Sequence, residues 1–572
     1  MTPRALTSIL AAALLATLGC QRTETADLLL VNARVYTLNW DEPDGEGRPA
    51  KNAPHGPDGW RPDAQAVAIK GDRIVFVGSN ADAGKFRGHP TQVRDLQGAT
   101  VLPGLIESHV HLENLGASLE RVNLVGAKTP AEAIERVAAR AQKAPKGEWI
   151  VGWGWDEGAW ASNYPDMRLL SERVPDHPVL LHGLHTFASW SNQLAFERAA
   201  ITAATTAPVG GEIRKDVRGR PTGILLNAAT RLVEAAIPPA SDAQVEGRIA
   251  NAITTLAEAG YVYVQEAGAN TAVMKALDMM RGVAQPPLRV DAMLAARDPA
   301  LLDEWIKRGP DTDDGDHLVV RSVKAFYDGA MGSRGAYFLE DYSDRPGHRG
   351  TGGTDYGFDA ERMAAMAKAG FQLVVHAIGD RANRETLDLF EQLQLKDARP
   401  RIEHAQVVSA PDIPRFARLG VIASMQPSHA VEDMPWAETR IGHERIKGAY
   451  AWRSLRRAGA HLAFNSDLPA TDFNLFYGLH SAFTRQDTHG QPAGGWRSEE
   501  RMTIEEAIRG WTTWAARATF QETKAGLLAP GRRADLTVMD VDPFQLAATQ
   551  PHRLLDGKIV STYVNGRSIT PR

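Results

Sequence analysis

The chain of 572 residues contains one cysteine, Cys20. Disulfides, cysteine-ligated zinc and a thiol nucleophile are thereby excluded from the body of the fold. Positive charge is not in surplus: the net charge is -5, and no basic stripe interleaved with aromatics is present. That removes the electrostatic case for a nucleic-acid partner. No short-period repeat appears, and only residues 39–63, rich in Pro, Gly and Asp, look biased and loop-like. What remains is ordinary globular composition, 43% hydrophobic and 23% charged. The length exceeds what one core supports, so at least two structural units are expected.

The first twenty residues differ from the rest. Arg4 precedes an apolar run over 5–18, rich in Ala and Leu and too short to span a bilayer. The run reads as an export signal. Its ending, Ala16-Thr-Leu-Gly-Cys20, resembles a bacterial lipobox, which usually has Leu where Thr17 stands. The expectation is a signal over 1–20, a lipid on Cys20 as the sole membrane contact, and a lipid-anchored or periplasmic place in the bacterial cell envelope.

Strand-like stretches crowd both ends. Asp27-Leu-Leu-Leu-Val-Asn-Ala-Arg-Val-Tyr-Thr37 is one, and two runs flank the turn Lys70-Gly71-Asp72. Near the other end, 534–540 and 558–564 are strand-like, and Asn565-Gly566 marks a tight turn. A composite β-sandwich from 21–100 and 520–572 follows. Between them, eight short apolar runs alternate with helical stretches: 101–106, 261–264, 288–294, 318–325, 372–375, 400–403, 420–425 and 461–465. Such alternation predicts an α/β fold, a (β/α)8 TIM-type barrel over 101–519. The long gap after the first run predicts a large insertion, about 112–255, over the barrel's mouth.

Active groups in such barrels gather where strands end. In Thr100-Val-Leu-Pro-Gly-Leu-Ile-Glu-Ser-His-Val-His-Leu112, His109 and His111 are two apart, so a strand would turn both to one face. Later runs end at Lys324, His376, His404 and Asp467. Four imidazoles, a lysine and a carboxylate at one rim point to a metal site, for which mixed His and carboxylate donors suit Zn2+, with Mn2+ or Fe2+ as options.

These residues lie in Pro103-Gly-Leu-Ile-Glu-Ser-His-Val-His111, Val323-Lys-Ala-Phe-Tyr-Asp-Gly-Ala-Met-Gly-Ser-Arg334, His376-Ala-Ile-Gly-Asp-Arg-Ala382, Glu403-His-Ala-Gln406 and Ser466-Asp-Leu-Pro469. With Pro530-Gly-Arg-Arg-Ala-Asp-Leu-Thr-Val538, they resemble the amidohydrolase superfamily, in its YtcJ-like branch with the N-substituted formamide deformylases (amidohydrolase family 3). The resemblance implies that His109, His111 and Asp467 hold one divalent metal and His376 and His404 a second, one or two per chain. Lys324 would bridge them as a carbamate or, with a single metal, form a salt bridge or clamp substrate. It further implies hydrolysis of an N-acyl, N-formyl or cyclic amide by metal-activated water, with Asp467 as general base and acid. Glu107 and Asn227 depart from the pattern, where Asp and Glu are more usual.

Substrate contacts are expected from His185 as donor to the carbonyl, Trp155 as pocket wall, and Arg334, Asp380 and His429. His182 reads as structural, and Asp380 is first a helix cap. An esterase or lactonase on the same site, a one-metal isomerase, and a non-catalytic ligand-binding lipoprotein are the alternatives. The partner is a small-molecule amide, and the oligomeric state is open, a homodimer included.

Overall fold

A computed structural model describes residues 25–569 apart from 156–159, 161–163, 184–187, 209–210, 283–285 and 313–316. The export-like run with Cys20, and also His185, lie outside the described residues.

Eight parallel strands form the central sheet: β1 (Leu105–Val110), β2 (Tyr261–Ala269), β3 (Arg289–Ala295), β4 (Leu318–Phe326), β5 (Gln372–Ala377), β6 (Arg401–His404), β7 (Ile422–Met425) and β8 (His461–Phe464). They stand in chain order around the sheet. The ends meet through Ser108, whose hydroxyl donates to the Phe464 carbonyl at 3.1 Å, and through His111 N–H, which donates to the Leu468 carbonyl at 2.8 Å. The sheet is a nearly closed TIM-type barrel. Strands covered on both faces read as continuous apolar runs, which is why β4 and β5 are rich in Val and Leu.

The first strand is not the 101–106 run. Thr100–Pro103 pairs instead with Leu536–Met539 in a five-stranded outer sheet, and the barrel strand starts at Leu105. Gly104 is the break. A Cβ there would stand 2.6 Å from Val262 and 3.1 Å from the Asp535 backbone, so only glycine lets the chain pass from one sheet to the other. The outer sheet combines strands from both ends of the chain and faces a four-stranded sheet from the N-terminal part. Leu30, Val67, Val101, Leu536 and Val538 fill the space between them.

After β1 the chain runs through helix Leu112–Glu120 into a six-stranded sheet between Val122 and Asn227. That sheet has cores of its own, one built on Trp155, Trp160 and Trp190. Helix Asp242–Glu258 returns to the barrel: a Ser241–Gln244 capping box starts it, and Val245, Ile249, Ala252, Ile253 and Leu256 turn into the barrel's own core. Among the described residues, no helix is long and apolar enough to cross a membrane.

Candidate metal centre

Side chains alternate along each strand, so every second residue of the barrel faces inward. On β6 this sends Arg401 and Glu403 inward together, and strand register sets Glu403 beside His376 of β5 and Ser424 of β7. Glu403 Oε2 lies 2.5 Å from His109 Nδ1, and Arg401 donates to Glu403 Oε1 at 2.9 Å. The same guanidinium reaches Gln265, the Ser108 carbonyl and Ser424. All three principals are buried: His109, Arg401 and Glu403.

The orientation of His109 follows from this. Its Nδ1–H is donated to Glu403, so the lone pair sits on Nε2, at the strand's C-terminal end. His404 is set in the same way. Gln426 donates its amide to Asn465, leaving Oε1 to accept from His404 Nδ1 at 3.0 Å, and the lone pair is again on Nε2. Asp328 accepts backbone N–H bonds from Tyr337, Ile378 and Gly379, and its Oδ1 stands 3.5 Å from His376 Nε2.

Into this frame come the remaining groups. His109 Nε2 is 3.3 Å from Asp467 Oδ1 and accepts from Lys324 Nζ at 3.3 Å, while His111 Nε2 is 3.7 Å from the same carboxylate oxygen. The rings of His376 and His404 are 4.4 Å apart at their centres. All six expected metal residues therefore meet at one rim. Grouping differs from the expectation in one respect: ligand atoms of His109, His404 and Asp467 lie mutually within 4.8 Å, so His404 joins the first-strand group rather than only a separate pair with His376. Both His404 (φ 72°) and Asp467 (φ 53°) adopt left-handed backbone, which is costly for such residues and is found where function over-determines geometry.

The donor set fits a divalent cation. Nε2 of His109 and Oδ1 of Asp467 stand 3.3 Å apart, and with His404 they place three ligand atoms within 4.8 Å of one another. Buried His376 Nε2 has no hydrogen-bond partner among the described residues. Burial keeps the imidazoles neutral, as ligands must be: His111 and His376 are pushed down to about 3, and His109 and His404 lie well below the usual range. Burial raises Asp467 to about 7 and lowers Lys324 to about 8.

The expected substrate contacts fare less evenly. His429 stacks at 6.2 Å from His404 and lies at the rim, its pKa lowered to about 4 by burial. Trp155 is not a pocket wall. It is fully buried in the insertion, stacks 5.5 Å from Trp160 and donates to the Leu181 carbonyl, because the strand's alternation turns it into the insertion's core. Arg334 forks onto Asp344, which Arg440 shares, so its guanidinium is committed within the loop after β4. Asp380 is not the cap: Gly379 holds that position, and the buried Asp380 carboxylate accepts the Leu339 N–H at 2.8 Å, tying that loop to helix Asp380–Gln392. His182 has its Nδ1 3.8 Å from Glu234, and Asn192 caps helix Gln193–Arg198. Glu403, Arg401, Gln426 and Asp328 were not assigned from sequence. The available signal was an Arg and a Glu two apart in a short buried strand.

Comparison with known proteins agrees with this geometry. The amidohydrolase family model matches residues 92–570. The putative amidohydrolase YtcJ of Bacillus subtilis (strain 168) is 30% identical over 513 residues, covering 88% of this chain and 96% of its own. The N-substituted formamide deformylase of Arthrobacter pascens is 26% identical over 569 residues, covering 95% and 98%. An uncharacterized metal-dependent hydrolase from Pyrococcus furiosus superposes with a TM-score of 0.71 at 26% identity, over 90% of this chain and 99% of that one. A barrel whose strand ends deliver neutral imidazoles and a carboxylate to one point thus matches its relatives along nearly all its length, and the chain belongs to the amidohydrolase family, in the YtcJ-like branch, as a metal-dependent hydrolase.

Proposed function

We propose that the protein hydrolyses the C–N bond of an N-acyl, N-formyl or cyclic amide, with His109, His111, Lys324, His376, His404 and Asp467 holding one or two divalent cations. Zinc suits these donors. A cation there supplies a lowered pKa for bound water, near 7, and polarises the substrate carbonyl.

The chain's own residues do the rest. Asp467 has its carboxylate at the mouth, where burial brings its pKa to about 7. It is therefore suited to take a proton from water and return it to the departing amine. Glu403 and Gln426 fix the tautomers of His109 and His404, so both rings keep their lone pairs toward Asp467. Lys324, brought to about 8, reaches the neutral amine form that carbamate formation requires. The observation that carries the reading is the convergence of His109, His404 and Asp467, whose ligand atoms lie within 4.8 Å of one another.

The relative that acts on N-substituted formamides supports the C–N preference. His185 remains the proposed donor to the substrate carbonyl. On the leader-like run alone, the enzyme is placed at the cell envelope. The test is a panel of N-formyl amines, N-acyl amines and lactones given to protein of measured metal content. Turnover of amides supports the reading. Metal-loaded protein that cleaves only esters or lactones overturns it.

A further inference from the structure

A cavity of about 400 Å³ opens at the barrel mouth, with His111 and Lys324 among its walls. Arg297, Phe326, Asn270 and Pro299 line it too. Arg297 follows β3 by two residues. Its guanidinium lies 4.4 Å from the centre of the Phe326 ring and 5.5 Å from that of Tyr356. Lys324 Nζ approaches the same Phe326 ring at 4.5 Å, and the His376 ring lies 5.2 Å from it. One aromatic ring thus separates Arg297 from the metal centre.

No carboxylate of the described residues pairs with Arg297. The adjacent Asp298 is already spent: Oδ2 accepts the N–H and hydroxyl of Thr271, and Oδ1 accepts the Leu301 N–H as the cap of helix Pro299–Arg308. Two aromatic faces hold the guanidinium in place by cation–π attraction, which reduces the freedom it must lose when a ligand arrives. A guanidinium carries five donors and no acceptor, so it cannot ligate a metal and it repels a cationic substrate. Its fork matches a carboxylate in two parallel hydrogen bonds.

We infer that Arg297 recognises an anionic group of the substrate, so that the enzyme acts on amides carrying a carboxylate within a few bonds of the scissile carbonyl. N-acyl or N-formyl amino acids have that form. The inference rests on the amide-hydrolase reading and adds the substrate's charge to it.

The test compares N-formyl-phenylalanine with N-formyl-phenethylamine, its counterpart lacking the carboxylate. Wild-type protein, Arg297→Met and Arg297→Lys are measured with metal content recorded. The expected result is a kcat/KM ratio of acid to neutral compound of about 10 to 100 in the wild type, the scale of charged hydrogen bonds. The ratio falls toward one in R297M and recovers in part in R297K. A ratio near one in the wild type, or one unchanged in R297M, overturns the inference. If neither compound is cleaved, the amide reading fails, and calorimetric binding to the metal-loaded protein still decides the role of Arg297. Tighter binding of the acid by wild type and equal binding by R297M supports it, and equal binding by wild type refutes it.

Discussion

The imidazole of His109 and the carboxylate of Glu403 stand 2.5 Å apart, contributed by strands β1 and β6 and both fully buried. The contact turns a strand-end histidine into a ligand with a fixed tautomer, and Arg401 balances the carboxylate's charge at 2.7 Å. Replacing Glu403 by Gln should weaken metal binding about 10- to 100-fold. It should also cost about 3–5 kcal/mol of stability, because Arg401 is left buried without its counter-charge. Competition against a chelator reads the first effect and denaturant unfolding the second. The double variant R401M/E403Q should regain much of the stability without regaining the metal affinity.

Asp467 is assigned the proton transfers. D467N should lower kcat/KM by about 10²–10⁴-fold while leaving the thermal melt close to wild type. Near-normal turnover in that variant, with metal bound, would remove Asp467 from the role.

Proton release gives a second reading of the same residue. Burial raises the Asp467 carboxyl to about 7 in the metal-free protein, so below pH 7 it holds a proton that a bound cation must expel. Metal affinity should therefore rise with pH through about 7, where Asp467 ionises, and flatten only above about 8, where Lys324 becomes neutral. Calorimetry at pH 6 in buffers of different ionisation enthalpy should show the released proton, and D467N should release less.

Trp155 supports the insertion from within. Trp155→Ala should cost about 3–5 kcal/mol through loss of packing against Trp160 and Trp190. The KM of folded, metal-loaded protein should stay unchanged, as a wall of the substrate pocket would not allow.

Much of this was legible in the sequence because barrel strands are local: an apolar run ends, and the polar residue that follows sits at the rim. That is how Lys324, His376, His404 and Asp467 were placed without knowledge of any contact. The supports were not legible, since Glu403 acquires meaning only from the strand register that sets it against His109 and Arg401. The break at Gly104 is marked in the sequence by Pro103-Gly104, but the sheet that each side joins shows only in the contacts with Val262 and Asp535. The partners of Trp155, Arg334 and Asp380 were hidden for a related reason. Residue type suggested contact with a substrate, whereas the Trp160 stack, the Asp344 fork and the Leu339 hydrogen bond had already engaged them.

The central claim is that six side chains from five barrel strand ends grip a cation. Anomalous diffraction from crystals of protein purified without chelators, collected across the zinc, manganese and iron edges, tests it directly. A peak about 2.0–2.2 Å from His109 Nε2 and an Asp467 oxygen is the predicted result. A second peak beside His376 would establish the pair. Fully ordered side chains at this rim with no anomalous peak among them would contradict the claim.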